Sequence, residues 1–99
     1  MFKIRRSNTF IRWHKKLRDR QAAARINARI DRFAEGNPGD VKSAGKGVSE
    51  MRIDYGPGYR VYFKNTGREI IILLCGGDKR TQDSDIAEAR RMARLYKEE

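Results

Sequence analysis

The chain has 99 residues, of which 23 are lysine or arginine and 13 are aspartate or glutamate, so its formal net charge at pH 7 is +10. This length accommodates one domain, residues 1–99, and excludes an enzyme with a separate cofactor-binding domain. Hydrophobic residues make up 38% of the chain, which is enough for a core and excludes an intrinsically disordered protein.

Several other classes of protein are excluded by composition. One cysteine and one histidine rule out a disulfide framework and a four-ligand zinc site built from this chain alone, so neither a metal nor another cofactor is expected. The longest apolar run, residues 70–75, is much shorter than the roughly 20 residues that span a bilayer. No apolar segment follows the basic residues at the start, so a secretory signal is not expected. We expect a cytoplasmic protein without membrane contact.

The positive charge is concentrated in the first half of the chain. Residues 1–47 contain 13 basic and 4 acidic residues, whereas residues 48–99 contain 10 basic and 9 acidic residues. Arginines outnumber lysines by 15 to 8. Because a guanidinium group binds phosphate in a bidentate manner and stacks on bases, this excess favours nucleic acid or an acidic protein as the partner.

The first 47 residues predict a strand, two helices and a loop. Residues 1–6 alternate weakly, as in a short edge strand, and residues 7–9 supply cap-type side chains for a helix that ends near residue 19 or 20. A second helix follows almost at once and ends at Gly36, which suits the position after a helix. Residues 43–47 are expected to form a flexible loop. The apolar stripes that identify these helices are Phe10, Trp13 and Leu17 in the first and Ala23, Ile26, Ile30 and Phe33 in the second.

The second half predicts three strands and a helix. Alternation over residues 48–55 and 59–64, and an apolar run over residues 69–75, predict strands joined by glycine-containing turns. After a loop at residues 76–80, Asp83 and Asp85 favour the start of a last helix. The order β-α-α-β-β-β-α predicts an α+β fold of two layers, in which a small antiparallel sheet packs on a helical hairpin and a C-terminal helix.

Two of the predicted strands each place polar residues on one face, and Lys79 and Arg80 follow the third strand near the same edge. One interpretation is the water-facing side of a one-sided sheet, in which cross-strand pairs contribute roughly 0.2–1 kcal/mol each. The other interpretation is a phosphate-handling site. The residues concerned are Glu50, Arg52 and Asp54 on the first of these strands, and Arg60, Tyr62 and Lys64 on the second.

The second interpretation assigns chemical roles to these side chains. Cleavage of RNA by its own 2′-hydroxyl needs a base, cations that stabilise the crowded phosphate and an acid for the leaving oxygen. Arg60 and Arg52 suit charge stabilisation, because arginine does not lose its proton in proteins. Glu50, or a lysine whose pKa is lowered among other cations, is a candidate base. Lys79 or a tyrosine is a candidate acid.

Eight residues are candidate RNA contacts. The lysines lie in the loop before the strands, the tyrosines flank a turn where they can stack on bases, and three arginines share one face of the second helix. The alternative interpretation is a solvated helix face with tyrosines that pack at strand ends. His14 is expected to be a surface or partly packed residue, and Cys75 a buried core residue. The candidate contacts are Lys42, Lys46, Tyr55, Tyr59, Arg80, Arg25, Arg29 and Arg32.

Several sequence strings together resemble the RelE/ParE toxin superfamily, most of all its HigB-like branch of short addiction module killer proteins. The most specific strings are Gly-Pro-Gly-Tyr-Arg-Val-Tyr at residues 56–62 and Leu-Leu-Cys-Gly-Gly-Asp-Lys at residues 73–79. Residues 36–42 and 45–53 and the spacing of Phe10, Trp13 and Leu17 extend the resemblance over nearly the whole chain.

This resemblance implies a toxin of a type II toxin–antitoxin system with a RelE-like fold. RelE-type members cut mRNA on the ribosome, and ParE-type members poison DNA gyrase. The partners implied are a cognate antitoxin, typically a helix-turn-helix DNA-binding protein, and the ribosome with its mRNA. The basic positions of the ribonucleases match Arg52 (with Glu50 beside it), Arg60 and Lys79 here.

The chain departs from RelE-type nucleases near its C-terminus. Those nucleases often have a tyrosine or histidine there for proton transfer, whereas residues 82–86 are Gln-Asp-Ser-Asp-Ile. We expect a ribosome-dependent mRNA endoribonuclease that inhibits translation. The alternatives are a non-enzymatic gyrase inhibitor and a small RNA-binding module without toxicity.

Overall fold

The computed structural model describes residues 1–96 and consists of one five-stranded sheet with helices on both faces. The chain order is β1 (Lys3–Arg6), α1 (Asn8–Lys15), α2 (Arg20–Ala34), β2 (Val41–Gly45), β3 (Val48–Ile53), β4 (Tyr59–Asn65), β5 (Ile70–Gly77), a 3₁₀ turn (Lys79–Thr81) and α3 (Gln82–Leu95). The α+β class is confirmed, but helices on both faces give three layers, so the prediction of two layers is wrong.

The sheet is mixed, with the spatial order β1-β5-β4-β3-β2. β1 runs parallel to β5, and every other neighbouring pair is antiparallel. The three predicted central strands form the expected antiparallel meander, but the sheet as a whole is mixed, so the prediction of an antiparallel sheet is wrong for β1. A parallel pair needs a long connection, and the segments between β1 and β5, including α1 and α2, provide it. Alternation within single strands does not indicate such a pairing.

The segment Val41–Gly45 is a strand, so the expected loop at residues 43–47 is wrong for its first half. The two residues that join this strand to β3, Lys46 and Gly47, both have positive φ angles, 57° and 79°. Positive φ at both central residues is the backbone of a type I′ hairpin turn, which matches the twist of the flanking strands. β2 has few apolar residues because it is an edge strand, and it therefore lacks a clear alternation in the sequence.

Three other boundaries differ from the predictions. α1 ends at Lys15, several residues before the expected end near residue 19 or 20. β5 continues to Gly77, and α3 begins at Gln82. The two glycines at the end of β5 were expected to break the strand, but each lies under a side chain of a neighbouring helix. Backbone atoms of glycine allow this close approach.

Hydrophobic clusters lie on both faces of the sheet. α1 and α2 cover the larger cluster, and α3 covers the smaller one. The sheet is thus not one-sided, and the interpretation of its polar positions as a water-facing surface is wrong for Glu50 and Tyr62, which are both buried. The buried members of the larger cluster are Phe10, Ile26, Ile30, Phe33, Met51, Ile53, Val61, Phe63, Ile71 and Leu73. Those of the smaller one are Val48, Tyr62, Ile72, Leu74, Cys75, Ala89, Met92 and Ala93.

Within residues 1–96, no helix has the length and apolar character that a bilayer crossing requires.

Candidate functional site

The register of the sheet brings the candidate catalytic residues to one end of the three central strands. Arg52 of β3 lies opposite Arg60 of β4, and Arg60 lies opposite Gly77 of β5. Directly opposed residues of antiparallel strands point to the same face, so both arginines lie on the face that α3 covers. Lys79 and Arg80 follow directly in the 3₁₀ turn. We call Arg52, Arg60, Lys79 and Arg80 the strand-end cluster.

Glu50 lies beneath this cluster and is buried, and it contacts Arg60. Its side chain is 3% exposed, and its Oε2 accepts hydrogen bonds from the Tyr62 hydroxyl at 3.0 Å and from Gln82 Nε2 at 2.9 Å. Arg60 Nε lies 3.4 Å from the same oxygen. Three groups converge on one carboxylate oxygen, so this carboxylate is held in place and shielded from solvent.

Arg60 is itself mostly buried, with 13% of its side chain exposed. Its Nη1 donates to the carbonyl oxygen of Gly58 at 3.1 Å. Its Nε is buried and makes no hydrogen bond within the described residues, so its contact with Glu50 is an ion pair only. The Glu50 charge and the Gly58 carbonyl together fix the direction of the guanidinium.

Tyr62 keeps its proton at physiological pH. Burial raises the pKa of its phenol above the ordinary value, and its hydrogen bond to Glu50 raises this pKa further. The hydroxyl is therefore a permanent donor to the carboxylate, and the negative charge on Glu50 stays available to Arg60.

Arg52 is more exposed and pairs with a different carboxylate. Its Nη2 lies 2.8 Å from Asp40 Oδ1, and the two side chains are 40% and 55% exposed. The hydrogen bond from Arg52 lowers the pKa of Asp40 and raises that of Arg52. An exposed pair of this kind contributes little to stability, so Arg52 can exchange its partner for another anion.

The 3₁₀ turn presents Lys79 to solvent. Asp78 caps this turn through its hydrogen bond to the Arg80 backbone at 2.8 Å and also pairs with the Arg80 side chain at 3.0 Å. Lys79 is exposed. A Cβ placed on Gly58 would lie 3.6 Å from Arg60 Nη1 and 3.7 Å from Lys79 Cβ. Arg60 and Lys79 therefore both lie next to the Gly58 backbone.

Two tyrosines lie beside the cluster, between the strand ends and the helices. The Tyr55 hydroxyl donates to Gln21 Oε1 at 3.0 Å, and the Arg25 guanidinium lies 4.5 Å from the Tyr55 ring centroid. The Tyr59 ring packs edge-on against Trp13, with 6.4 Å between the ring centroids. Both tyrosines are half-buried and therefore combine packing with partial exposure.

The other candidate RNA contacts lie on α2, on β2 and in the β2–β3 turn. Arg29 donates to the backbone oxygens of Arg52 at 2.6 Å and Pro38 at 3.1 Å, so it connects α2 to the sheet. Burial lowers the pKa of Arg29, and the neighbouring Arg32 lowers it further. Arg32 and Lys42 are exposed, and Lys46 lies in the β2–β3 turn at the opposite end of β3 from Arg52.

Sequence reasoning did not identify Gln82 as part of the site. The sequence pattern contains no signal for it, because its contact with Glu50 depends on how α3 docks on the sheet. Asp85 of the same turn was also not identified. A Cβ on Gly77 would lie 1.7 Å from Asp85 Oδ2, so this carboxylate covers the glycine, and burial raises its pKa. Within residues 1–96, no group of three or more potential metal ligands is present.

Comparison with known proteins identifies a relative. No protein-family model matches the chain. It is 53% identical over 90 residues to a protein of Haemophilus influenzae (strain ATCC 51907 / DSM 11121 / KW20 / Rd) that is described only as uncharacterized. The aligned region covers 91% of each chain. The chain therefore belongs to the same family as this Haemophilus protein.

Proposed function

We propose that this protein is the toxin of a type II toxin–antitoxin system and that its strand-end cluster cleaves mRNA on the ribosome. The observation that carries the proposal is the anchoring of Arg60. The buried Glu50 carboxylate orients the Arg60 guanidinium at the end of β4. The exposed Lys79 and a second arginine, Arg52, lie beside it. Such a concentration of cations is suited to a phosphate that gains negative charge during a reaction.

The side chains of the cluster fit different roles in this reaction. Arg60 is fixed in direction, so it stabilises the phosphate without reorganisation. Arg52 provides a second cation when the phosphate replaces Asp40. Lys79 is exposed and carries protons, so it is our candidate for protonating the leaving 5′-oxygen.

Glu50 takes a positioning role in this proposal instead of the role of the base. Its Oε2 already has three partners, and 3% exposure leaves little room for a 2′-hydroxyl to reach it. The buried charge instead holds Arg60 in place. In this proposal the 2′-oxygen bonds to phosphorus as solvent takes its proton, and the 5′-oxygen leaves with a proton from Lys79. The ribosome aligns the substrate, and proximity and orientation lower a reaction barrier strongly.

The fold is compatible with the RelE-like topology that the sequence resemblance implies. Two helices follow the first strand, and antiparallel strands and a helix follow them. We propose that the additional hairpin strand β2 is a local feature on this scaffold. The proposed partners are a cognate antitoxin, typically a helix-turn-helix protein, and the translating ribosome, and the proposed location is the cytoplasm.

Inducible expression in a bacterium tests the proposal. Expression without antitoxin is expected to stop growth and to produce cleaved, translated mRNA, detected by primer extension. The test variant Glu50→Gln with Arg60→Gln removes both charges of the buried pair, so no unpaired charge remains in the interior. We expect it to fold and to lower the cleavage rate on purified ribosomes by about 10²-fold, as for the loss of one stabilising donor.

A matched control replaces an exposed arginine in the last turn of α3, at the end away from Gln82. Arg94→Gln changes a side chain of α3 that lies outside the cluster, and it is expected to leave cleavage unchanged. Growth arrest with intact mRNA and altered plasmid supercoiling would overturn the nuclease proposal in favour of gyrase inhibition. Harmless expression of the folded protein would overturn the toxin proposal as a whole.

A further inference from the structure

A basic cleft lies at the elbow where α1 turns into α2. Its volume is about 440 Å³, and it lies between the end of one helix and the start of the next. None of the strand-end cluster residues contributes to it. The residues that line it are His14, Lys15, Leu17, Arg18, Arg20 and Ala23.

The charge of this elbow is largely uncompensated. Residues 12–20 contain five lysines and arginines and one carboxylate, Asp19. Asp19 Oδ1 accepts hydrogen bonds from the backbone nitrogens of Gln21 at 3.0 Å and Ala22 at 3.1 Å, so the carboxylate caps α2. Within residues 1–96, the basic side chains of this segment take part in no ion pair.

The cleft is fixed in shape before any ligand arrives. His14 Nε2 lies 3.2 Å from the backbone oxygen of Ala23, to which it donates, and the His14 ring stacks on Phe10 with 5.8 Å between centroids. Phe10 is buried in the larger core. The angle between α1 and α2 at the elbow is therefore set by core packing.

The surface around the cleft suits a phosphate backbone better than a protein. Protein interfaces depend on a few large apolar or aromatic anchors at their centre. Among the described residues of α1 and α2, Ile11 is the one large hydrophobic side chain classed as exposed, at 41%. Phosphate contacts require cations only, and they supply most of the affinity of sequence-independent binding.

We propose that this elbow cleft binds the phosphodiester backbone of an RNA helix. The inference rests on the proposed function, in which the protein works on the RNA-rich surface of the ribosome. The cleft and the strand-end cluster lie near the same end of the sheet, on opposite faces, since Tyr55 in the β3–β4 turn contacts Gln21 directly after the elbow. In this proposal the strand-end cluster holds the RNA strand that reacts, and the elbow cleft holds a structured RNA near it.

Fluorescence anisotropy with a labelled RNA duplex of roughly 16 base pairs tests this assignment; the RNA carries 2′-O-methyl groups that prevent cleavage. The test variant is Arg18→Gln with Arg20→Gln. The logarithm of the binding constant is expected to fall with the logarithm of salt concentration, and the variant should reduce this slope by about 2. Arg91→Gln with Arg94→Gln is the matched control, because it removes the same charge from α3 on the opposite face of the sheet.

The outcomes separate this inference from its alternatives. An equal loss of slope in the elbow variant and the α3 variant would overturn it, because net charge alone would then explain binding. Binding of poly-L-glutamate as tight as that of RNA, and equally sensitive to the elbow substitutions, would favour an acidic protein and also overturn it. Equal affinity for a DNA duplex of the same sequence would overturn the commitment to RNA. The duplex with 2′-O-methyl groups measures binding without cleavage, so a failure of the catalytic proposal remains distinguishable from a failure of this one.

Discussion

The pair of Glu50 and Arg60 illustrates how burial changes the meaning of a charged residue. Alternation along β3 and β4 makes both of them polar-face residues, and α3 then covers that face. Their side chains are 3% and 13% exposed. A buried ion pair adds little net stability, but loss of one partner leaves a charge without compensation. The pair therefore serves to position Arg60, and removal of one partner alone destabilises the protein.

Glu50→Ala is expected to lower the free energy of unfolding by about 3–5 kcal/mol, because it leaves the Arg60 charge buried and removes the acceptor of Tyr62 and Gln82. The double variant Glu50→Gln with Arg60→Gln should lose distinctly less, since neither charge remains. Urea denaturation of both proteins gives the comparison. A double variant as unstable as Glu50→Ala would contradict the assignment.

Cys75 is expected to resist thiol reagents in the folded protein. Its side chain is 4% exposed, and burial raises the pKa of its thiol to about 12. The reactive thiolate is therefore negligible at pH 8 in the native state, whereas the unfolded chain ionises near the ordinary value of about 8.5. Because the native pKa is raised, this thiol contributes stability that falls as pH rises from about 9 towards 12.

Iodoacetamide labelling followed by mass spectrometry measures this reactivity. The native protein should label slowly at pH 8, and the same protein in urea should label at the rate of a free thiol. Rapid labelling under native conditions would show that the smaller core opens readily around β5.

At the scale of elements, close contacts between helices and strand ends position the site. The Trp13 ring of α1 lies on the backbone of Gly76 in β5, so that a Cβ at Gly76 would come within 2.4 Å of ring carbons. On the other face, Gln82 and Asp85 of α3 reach the ends of β3 and β5. Side chains of α1 and α3 thus pack on opposite faces of the sheet end that bears the candidate residues.

Gly76→Ala is expected to destabilise the protein by about 1–3 kcal/mol, the usual cost of inserting volume into a packed contact. The same substitution in a Trp13→Leu background should cost less, because the overlapping ring is absent. Unfolding followed by circular dichroism suits both backgrounds. Additive effects of the two substitutions would contradict a direct clash between α1 and β5.

At the scale of the whole molecule, the positive charge has consequences for stability. The net charge of +10 produces self-repulsion in the compact state, and residues 12–20 contribute strongly to it. We expect the melting temperature to rise between low ionic strength and about 0.15 M sodium chloride, where the Debye length falls to about 8 Å. Arg18→Gln with Arg20→Gln should reduce this rise.

Calorimetry at several chloride concentrations tests the effect. A melting temperature that stays constant or falls with salt would show that favourable ion pairs outweigh the repulsion between the basic side chains.

The sequence predicted the helices and three central strands well, because each has a clear period of apolar residues. β2 was missed because an edge strand needs no apolar alternation, and the parallel partner of β1 was missed because pairing over 67 residues leaves no local signal. Arg60 was identified as a candidate from its place in the alternation. The burial of Glu50 and the contribution of Gln82 depend on α3 docking, which a strand pattern does not contain.

The pairing of β1 with β5 also determines when the molecule is completed during its own synthesis. Residues 3–6 are translated before their partners, residues 70–73, and the Ser7 hydroxyl donates to the backbone oxygen of Leu74. Gln82, which holds Glu50, is translated later still. Until then the nascent chain has an unpaired first strand and an unanchored Arg60, so the proposed site is incomplete while the ribosome that produces it is still translating these residues.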